Sequence, residues 1–210
     1  MQNYSSKEKI LLNACRLFAQ KGFKQTTIRD ICKESGSYQI SVNYYFGSKE
    51  NLFKEALLKA FELTGLGKIS DLIADIPNPE DQLREIVKMR VRLSFVDDER
   101  SWFFNIMGKE VYTSPLVMQE ILPLTMEPHT EIIKDVLRKI NPEADEFQLH
   151  YCLFFLMSQA FGIGLHSIPR LKLFHTVNPS AEDVDKLAET MSLFLIEGLK
   201  KSNTENNKNE

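Results

Sequence analysis

Cysteine is scarce in this sequence, and the three present, Cys15, Cys32 and Cys152, have no paired spacing. An odd count without metal-type intervals argues against both a disulfide framework and a zinc site, so each reads as a small buried hydrophobe. The four histidines, His129, His150, His166 and His175, form no HExxH or other tight ligand spacing, so neither a metal nor a cofactor is expected. A Gly-rich phosphate loop, a GxSxG elbow and a recognisable nucleophile context are missing as well, which points away from an enzyme. Also missing is any run of about 18 apolar residues. Met1 to Lys9 are polar, so the expectation is a cytoplasmic chain with no membrane association and no signal segment.

What is present is an ordinary globular composition, 43% hydrophobic and 26% charged, enough to bury a sizeable core. The net charge of −3 is unevenly distributed. Residues 1–60 hold 10 Lys and Arg against 5 acids, a balance of +5, leaving −8 for the remainder. A basic first quarter joined to an acidic body suits a protein whose one end meets phosphate.

Apolar residues recur at intervals of three and four from Ser5 onward, with Gly and Pro between segments, so the class is all-α. A first helix is expected from Ser5, capped with Glu8 and ended by Gly22, with Ile10, Ala14, Leu17 and Phe18 inward. A second opens on a Thr27/Asp30 capping box and stops at Gly36. A third spans Tyr38 to Phe46 with Val42 and Phe46 inward, and a fourth, capped by Ser48, spans Lys49 to Leu63. Further helices are expected near Pro79 to Phe95, Glu99 to Tyr112, Pro115 to Ile140, Pro142 to Ser167 and Pro179 to Lys200. Pro123 and Pro128 should kink or split the third of these. The tail 202–210 has no apolar residue and is expected to be disordered. The domains so drawn are a helix-turn-helix unit at 1–47, a connecting helix at 48–67, and a sensing and dimerising bundle at 68–201.

Two short helices around a Gly-containing turn form a helix-turn-helix, whose second member can enter a major groove roughly 12 Å wide. Gln39, Ser41, Asn43 and Tyr45 offer hydrogen-bonding groups on its outer face, and Ile40 an apolar surface for a thymine methyl. Free N–H groups at Ser48 and Lys49, with the Lys49 ammonium, make a phosphate site. Short helix pairs with a glycine turn also occur in plain bundles, so spacing by itself is a modest argument.

The wording is more specific than the spacing. Thr26-Thr-Ile-Arg-Asp-Ile31, Gly36 and Val42-Asn-Tyr-Tyr-Phe-Gly-Ser-Lys-Glu-Asn-Leu52 resemble the DNA-binding domain of the TetR family over about residues 6–60. The resemblance implies that Thr27 caps the second helix beside a phosphate. It also implies that Gln39, Ile40, Ser41 and Asn43 face bases and that Tyr44, Tyr45 and Lys49 hold the backbone. The sequence departs from the commonest pattern at Tyr38, Ile40 and Tyr45. Val42-Asn-Tyr, Gly108-Lys-Glu-Val and the Leu122-Pro and Pro128 segment resemble the CerR-type branch of that family.

The resemblance further implies a homodimer through the last two long helices, about residues 142–167 and 179–200. The apolar stretch Tyr151-Cys-Leu-Phe-Phe-Leu-Met157 and the stripe from Val184 to Leu199 are broad enough for both a core and an interface. Trp102, Phe103, Met107, Tyr112, Met126, His129, Phe155 and Gln159 are candidates to line a pocket for a small, mostly apolar effector. Residues of these types at these spacings are more often core. The expected function is a ligand-responsive repressor binding a double-stranded, near-palindromic operator. Two alternatives stand beside it: a constitutive DNA-binding dimer without inducer, and an all-α carrier or enzyme for a hydrophobic molecule.

Overall fold

The computed structural model describes residues 5–111, 113–165, 172–176 and 178–201, the side chains of 160–165 excepted. Tyr112, the stretch of the expected helix beyond Leu165, and the tail 202–210 lie outside the described residues. Among the described residues every regular element is a helix and none is a strand, which is the all-α class the periodicity predicts. They divide into two compact units, one of 1–67 with 97–126 and one of 68–96 with 127 onward.

The first unit begins with α1, Ser6–Gln25, whose start is fixed by Ser5 Oγ accepting from the Glu8 amide at 3.3 Å. Gly22 was expected to end this helix. It instead kinks it, with φ 77° and ψ 174°, and helical structure continues to Gln25. Thr26 Oγ1 then donates to the carbonyls of Gly22 at 2.8 Å and Leu17 at 3.3 Å, taking up acceptors that the kink frees. Next come α2, Ile28–Ser35, α3, Gln39–Phe46, and α4, Lys49–Thr64. α1 packs against α2, α3 and α4. Between α1 and α4, Phe18, Phe23 and Phe53 form an aromatic cluster with centroids 4.8 to 6.1 Å apart. Cys15 is buried as expected. Its thiol donates to the Ala56 carbonyl at 3.2 Å, and burial pushes its pKa up to about 12.

After a 3₁₀ turn at Leu66–Lys68 and α5, Ile69–Ile73, the second unit contributes α6, Pro79–Leu93. The chain then returns to the first unit with a 3₁₀ turn, Glu99–Ser101, and α7, Trp102–Glu110. The sequence-based division had assigned 97–126 to the later bundle. Long-range contacts hold α7 to α4 and α1: Phe103 meets Phe61 of α4 at 5.2 Å, Lys109 Nζ donates to the Ala19 carbonyl of α1 at 2.8 Å, and the Phe23 amide of α1 donates to Glu110 Oε1 at 2.7 Å. None of these is readable from local periodicity.

The expected Pro115–Ile140 helix is divided as its prolines predict. A π-helical turn, Val117–Ile121, precedes α8, Leu122–Thr125, in which Pro123 sits in the first turn. Proline there has no N–H to offer and its ring crowds the preceding turn, so a wider turn relieves the ladder. α9, Glu127–Ile140, follows in the second unit with Pro128 in its own first turn.

α10, Glu146–Leu165, starts four residues later than its proline suggested. Asp145 and Gln148 cap it reciprocally at 2.8 and 2.9 Å, while Asn141 Oδ1 accepts from the Glu143 amide across the Pro142 turn. α11, Ala181–Lys201, likewise begins after Ser180, which forms a capping box with Asp183, and not at Pro179. The core of this unit gathers Ile86, Val87 and Val91 of α6, Ile133, Val136 and Leu137 of α9, Leu149, Leu153 and Leu156 of α10, and Val184, Ala188, Met191 and Leu195 of α11.

Candidate nucleic-acid interface

The outer face of the first unit is built by three caps. At α2, the Thr27 hydroxyl accepts from the Asp30 amide at 3.1 Å, and the Thr27 amide and hydroxyl donate to the Asp30 carboxylate at 3.1 and 2.8 Å. Those bonds from Thr27 hold the Asp30 carboxyl below the usual carboxylate range. α2 ends at Gly36, φ 65°, in the left-handed conformation that glycine adopts without strain. Tyr38 precedes α3 without a side-chain cap, and only its carbonyl serves the first turn, accepting from the Ser41 amide at 3.0 Å and the Val42 amide at 3.3 Å.

Only Val42 and Phe46 of α3 are buried. Gln39, Ile40, Asn43 and Tyr44 are exposed, Ile40 and Tyr44 each by 82%, and Tyr38 beside them by 81%. Ser41 is half-buried and Tyr45 is 37% exposed. The Tyr44 and Tyr45 rings meet edge-on with centroids 5.1 Å apart, and Tyr45 contacts Phe46 at 6.3 Å. One short helix thus presents aromatic, aliphatic and amide groups together.

At α4 the expected phosphate site is narrower than the sequence implied. The Ser48 amide is not free: it donates to the Phe46 carbonyl at 2.8 Å, while Ser48 Oγ accepts from the Asn51 amide at 3.1 Å. Lys49, as the first residue of α4, keeps an amide without an intrahelical acceptor. Its Nζ lies 4.2 Å from the centroid of Phe23, a cation–π contact that fixes the ammonium at the edge of the helix-turn-helix. Neither the Phe23 contact nor the bond from Phe46 had a local sequence signal.

The expected pocket residues are divided between the two units. Trp102, Phe103, Met107 and Met126 belong to the first unit, where Phe103 and Met107 are core. His129, Phe155 and Gln159 belong to the second; His129 is buried, Phe155 half-buried and Gln159 exposed. Of these, Phe155 borders a cavity of about 710 Å³ between α10 and α11, shared with Phe147, Tyr151, Cys152, Phe194 and Gly198. Sequence reasoning passed over Arg90, which occupies a buried place in the α6 stripe of Leu83, Ile86, Val87 and Val91. A lone arginine at that helical spacing was the available signal.

A short helix pair with a solvated, mixed-character second helix defines a helix-turn-helix protein of the DNA-binding class. Residues 4–56 match the model described as bacterial regulatory proteins of the tetR family. Residues 79–199 match the C-terminal domain of the HTH-type transcriptional dual regulator CecR. The chain belongs to the TetR family of transcriptional regulators, in the CecR-type branch.

Among its relatives, the HTH-type transcriptional regulator YerO of Bacillus subtilis is 26% identical over 93% of this chain and 66% of its own length. The chain therefore spans just under two thirds of that protein. The biofilm operon negative regulator IcaR of Staphylococcus aureus is 36% identical over 56 residues, covering 27% of this chain and 30% of IcaR. The TetR family regulator PfmR of Thermus thermophilus has the same fold, with a TM-score of 0.67, 20% identity, and coverage of 92% of this chain and 96% of PfmR. No helix among the described residues is long and apolar enough to cross a membrane.

Proposed function

We propose that this chain is a repressor that binds a near-palindromic operator as a homodimer and is released by a small, mostly apolar molecule. The observation that carries the DNA-binding part is the exposed face of α3. A folded chain rarely leaves Tyr38, Ile40 and Tyr44 so fully solvated on one short helix without a partner surface for them. Gln39, Ser41 and Asn43 would supply amide and hydroxyl groups for base edges, Ile40 would suit a thymine methyl, and Thr27, Tyr44, Tyr45 and Lys49 would hold the phosphate backbone.

Dimerisation through α10 and α11 is supported by a second exposed face. Phe147, Tyr151 and Phe154 on α10 and Phe194 on α11 are all at least 60% exposed, at helical spacing. Joining two copies there would offer two recognition helices to half-sites about 34 to 36 Å apart. The name of IcaR, a negative regulator, favours repression for the matching head. Release requires the effector to bind the DNA-free state more tightly; a tenfold loss of operator affinity needs about 1.4 kcal/mol of that preference.

The test is a mobility shift with the region upstream of the protein's own gene, at two salt concentrations and with competitor DNA. Retention that survives competitor and is weakened in Tyr44→Ala and Lys49→Ala is the expected result. No retention even at low salt would return the carrier or enzyme reading to the front.

A further inference from the structure

Arg90 is 5% exposed, and its Nε and Nη2 are buried without a hydrogen-bond partner among the described residues. Other basic residues of the second unit are treated differently. Arg92 forks onto Asp185 at 2.8 and 2.7 Å, Arg84 reaches Glu189 at 3.4 Å, and the similarly buried Lys134 has Glu131 at 3.2 Å and Glu146 at 3.6 Å. Burial pulls the Arg90 pKa down to about 10, still well above neutrality, so the guanidinium keeps its charge. The group that feels this charge is His129 of α9, itself buried. Burial first, and Arg90 second, press its pKa down to about 4. Among the described residues no carboxylate pairs with the Arg90 guanidinium, which stands as a permanent cation near a neutral imidazole, an arrangement that is strongly unfavourable unless an anion completes it.

We propose that Arg90 anchors the carboxylate of an otherwise apolar effector, held in the second unit at the α6–α9 packing with His129 alongside. This rests on the reading that the chain is ligand-responsive, and names the chemistry of the ligand. Nε and Nη2 form one edge of the guanidinium fork, whose spacing matches the two oxygens of a single carboxylate. One cation beside a neutral imidazole suits a monoanion better than a doubly charged phosphate. The neighbours on the same stripes, Ile86, Val87 and Val91 on α6 and Ile133 on α9, are fully or almost fully buried, so the remainder of the molecule should be hydrocarbon or aromatic.

The test is thermal melting of the full chain at fixed ionic strength with decanoate and 2-naphthoate, against 1-decanol, 2-naphthol and decyl phosphate. The carboxylates should raise the melting temperature of the wild type well above the effect of the matched alcohols. R90M should abolish the difference, and R90K should reduce it, because lysine keeps the charge and loses the fork. Without ligand, R90M should melt no lower than the wild type, since it removes an uncompensated ion while nearly keeping the volume. Equal protection by acids and alcohols, no protection by either, stronger protection by decyl phosphate, or an R90M protein that melts far below the wild type would each overturn the proposal. A mobility shift run in parallel separates the two readings. Protein that retains operator DNA without any response of its melting to carboxylates keeps the regulator reading and loses this one; the reverse pattern does the opposite.

Discussion

The two units solve opposite problems with their polar groups. In the first, the groups drawn inside are matched: Thr26 donates to two carbonyls, Cys15 to one, and Glu110 accepts the Phe23 amide. What it leaves exposed is a face mixing aromatic rings with amides on α3. In the second, Arg90 is drawn inside without a match, and the exposed face is a nearly continuous row of Phe and Tyr on α10 and α11. A mixed face fits a polar groove carrying methyl groups, whereas a uniformly apolar face fits a copy of itself. The contrast suggests that the head folds complete and meets its partner as a finished surface, while the second unit is completed by what it binds.

The largest effect should come from charging the apolar face. Phe154→Glu with Phe194→Glu places carboxylates on exposed positions, so the fold should persist while sedimentation finds monomers. Operator affinity should fall by about a hundredfold or more, because the two heads then bind independently. A double variant that stays dimeric would move the interface elsewhere.

Acid should discriminate between the units next. The folded-state pKa of His129, near 4, lies below its ordinary value of 6.5, so below 6.5 the unfolded chain takes up more protons. Stability is present in full above 6.5 and declines as pH falls toward 4, by up to about 3 kcal/mol. Denaturant titrations at pH 7 and pH 4.5 should show this loss, and His129→Gln should flatten most of it. An unchanged slope in the variant would assign acid sensitivity to other groups.

Gly22 tests how finished the head is. Its φ of 77° with ψ of 174° belongs to a region that only glycine occupies readily, and an added Cβ would come within 2.9 Å of Glu110 Oε1. Gly22→Ala should cost about 1–3 kcal/mol, visible in a melting curve, with DNA affinity per folded molecule little changed.

The smallest effects belong to single contacts on the mixed face. Tyr44→Ala should lower operator affinity about tenfold while the dimer remains intact, about 1.4 kcal/mol. Lys49→Ala should reduce the salt slope of binding by about 1. A loss in either variant that disappears at low salt belongs to backbone contacts; one that persists and relaxes preference among operator sequences belongs to base reading.

The all-α class and the helices of the head were legible because their signals are local. The Thr27/Asp30 box, the Gly36 stop and the Val42/Phe46 pair each act within four residues. Starts placed on Pro142 and Pro179 were off by a few residues, because Asp145 and Ser180 offer better caps slightly downstream. What the sequence hid was long-range. Nothing local brings Lys109 to Ala19, sets the Lys49 ammonium over Phe23, or leaves Arg90 among valines and isoleucines without a carboxylate.

The return of α7 to the base of α1 bears on how such regulators can be recombined. A head transplanted as residues 1–67 would leave behind the carboxylate that receives the Phe23 amide and the ammonium that holds the Ala19 carbonyl. The graft would carry an unfilled notch at Gly22 and a Phe61 stripped of its Phe103 contact wherever it was joined. A working chimera has its seam in three places instead of one, because the reading head of this protein is written in two separate passages of the chain.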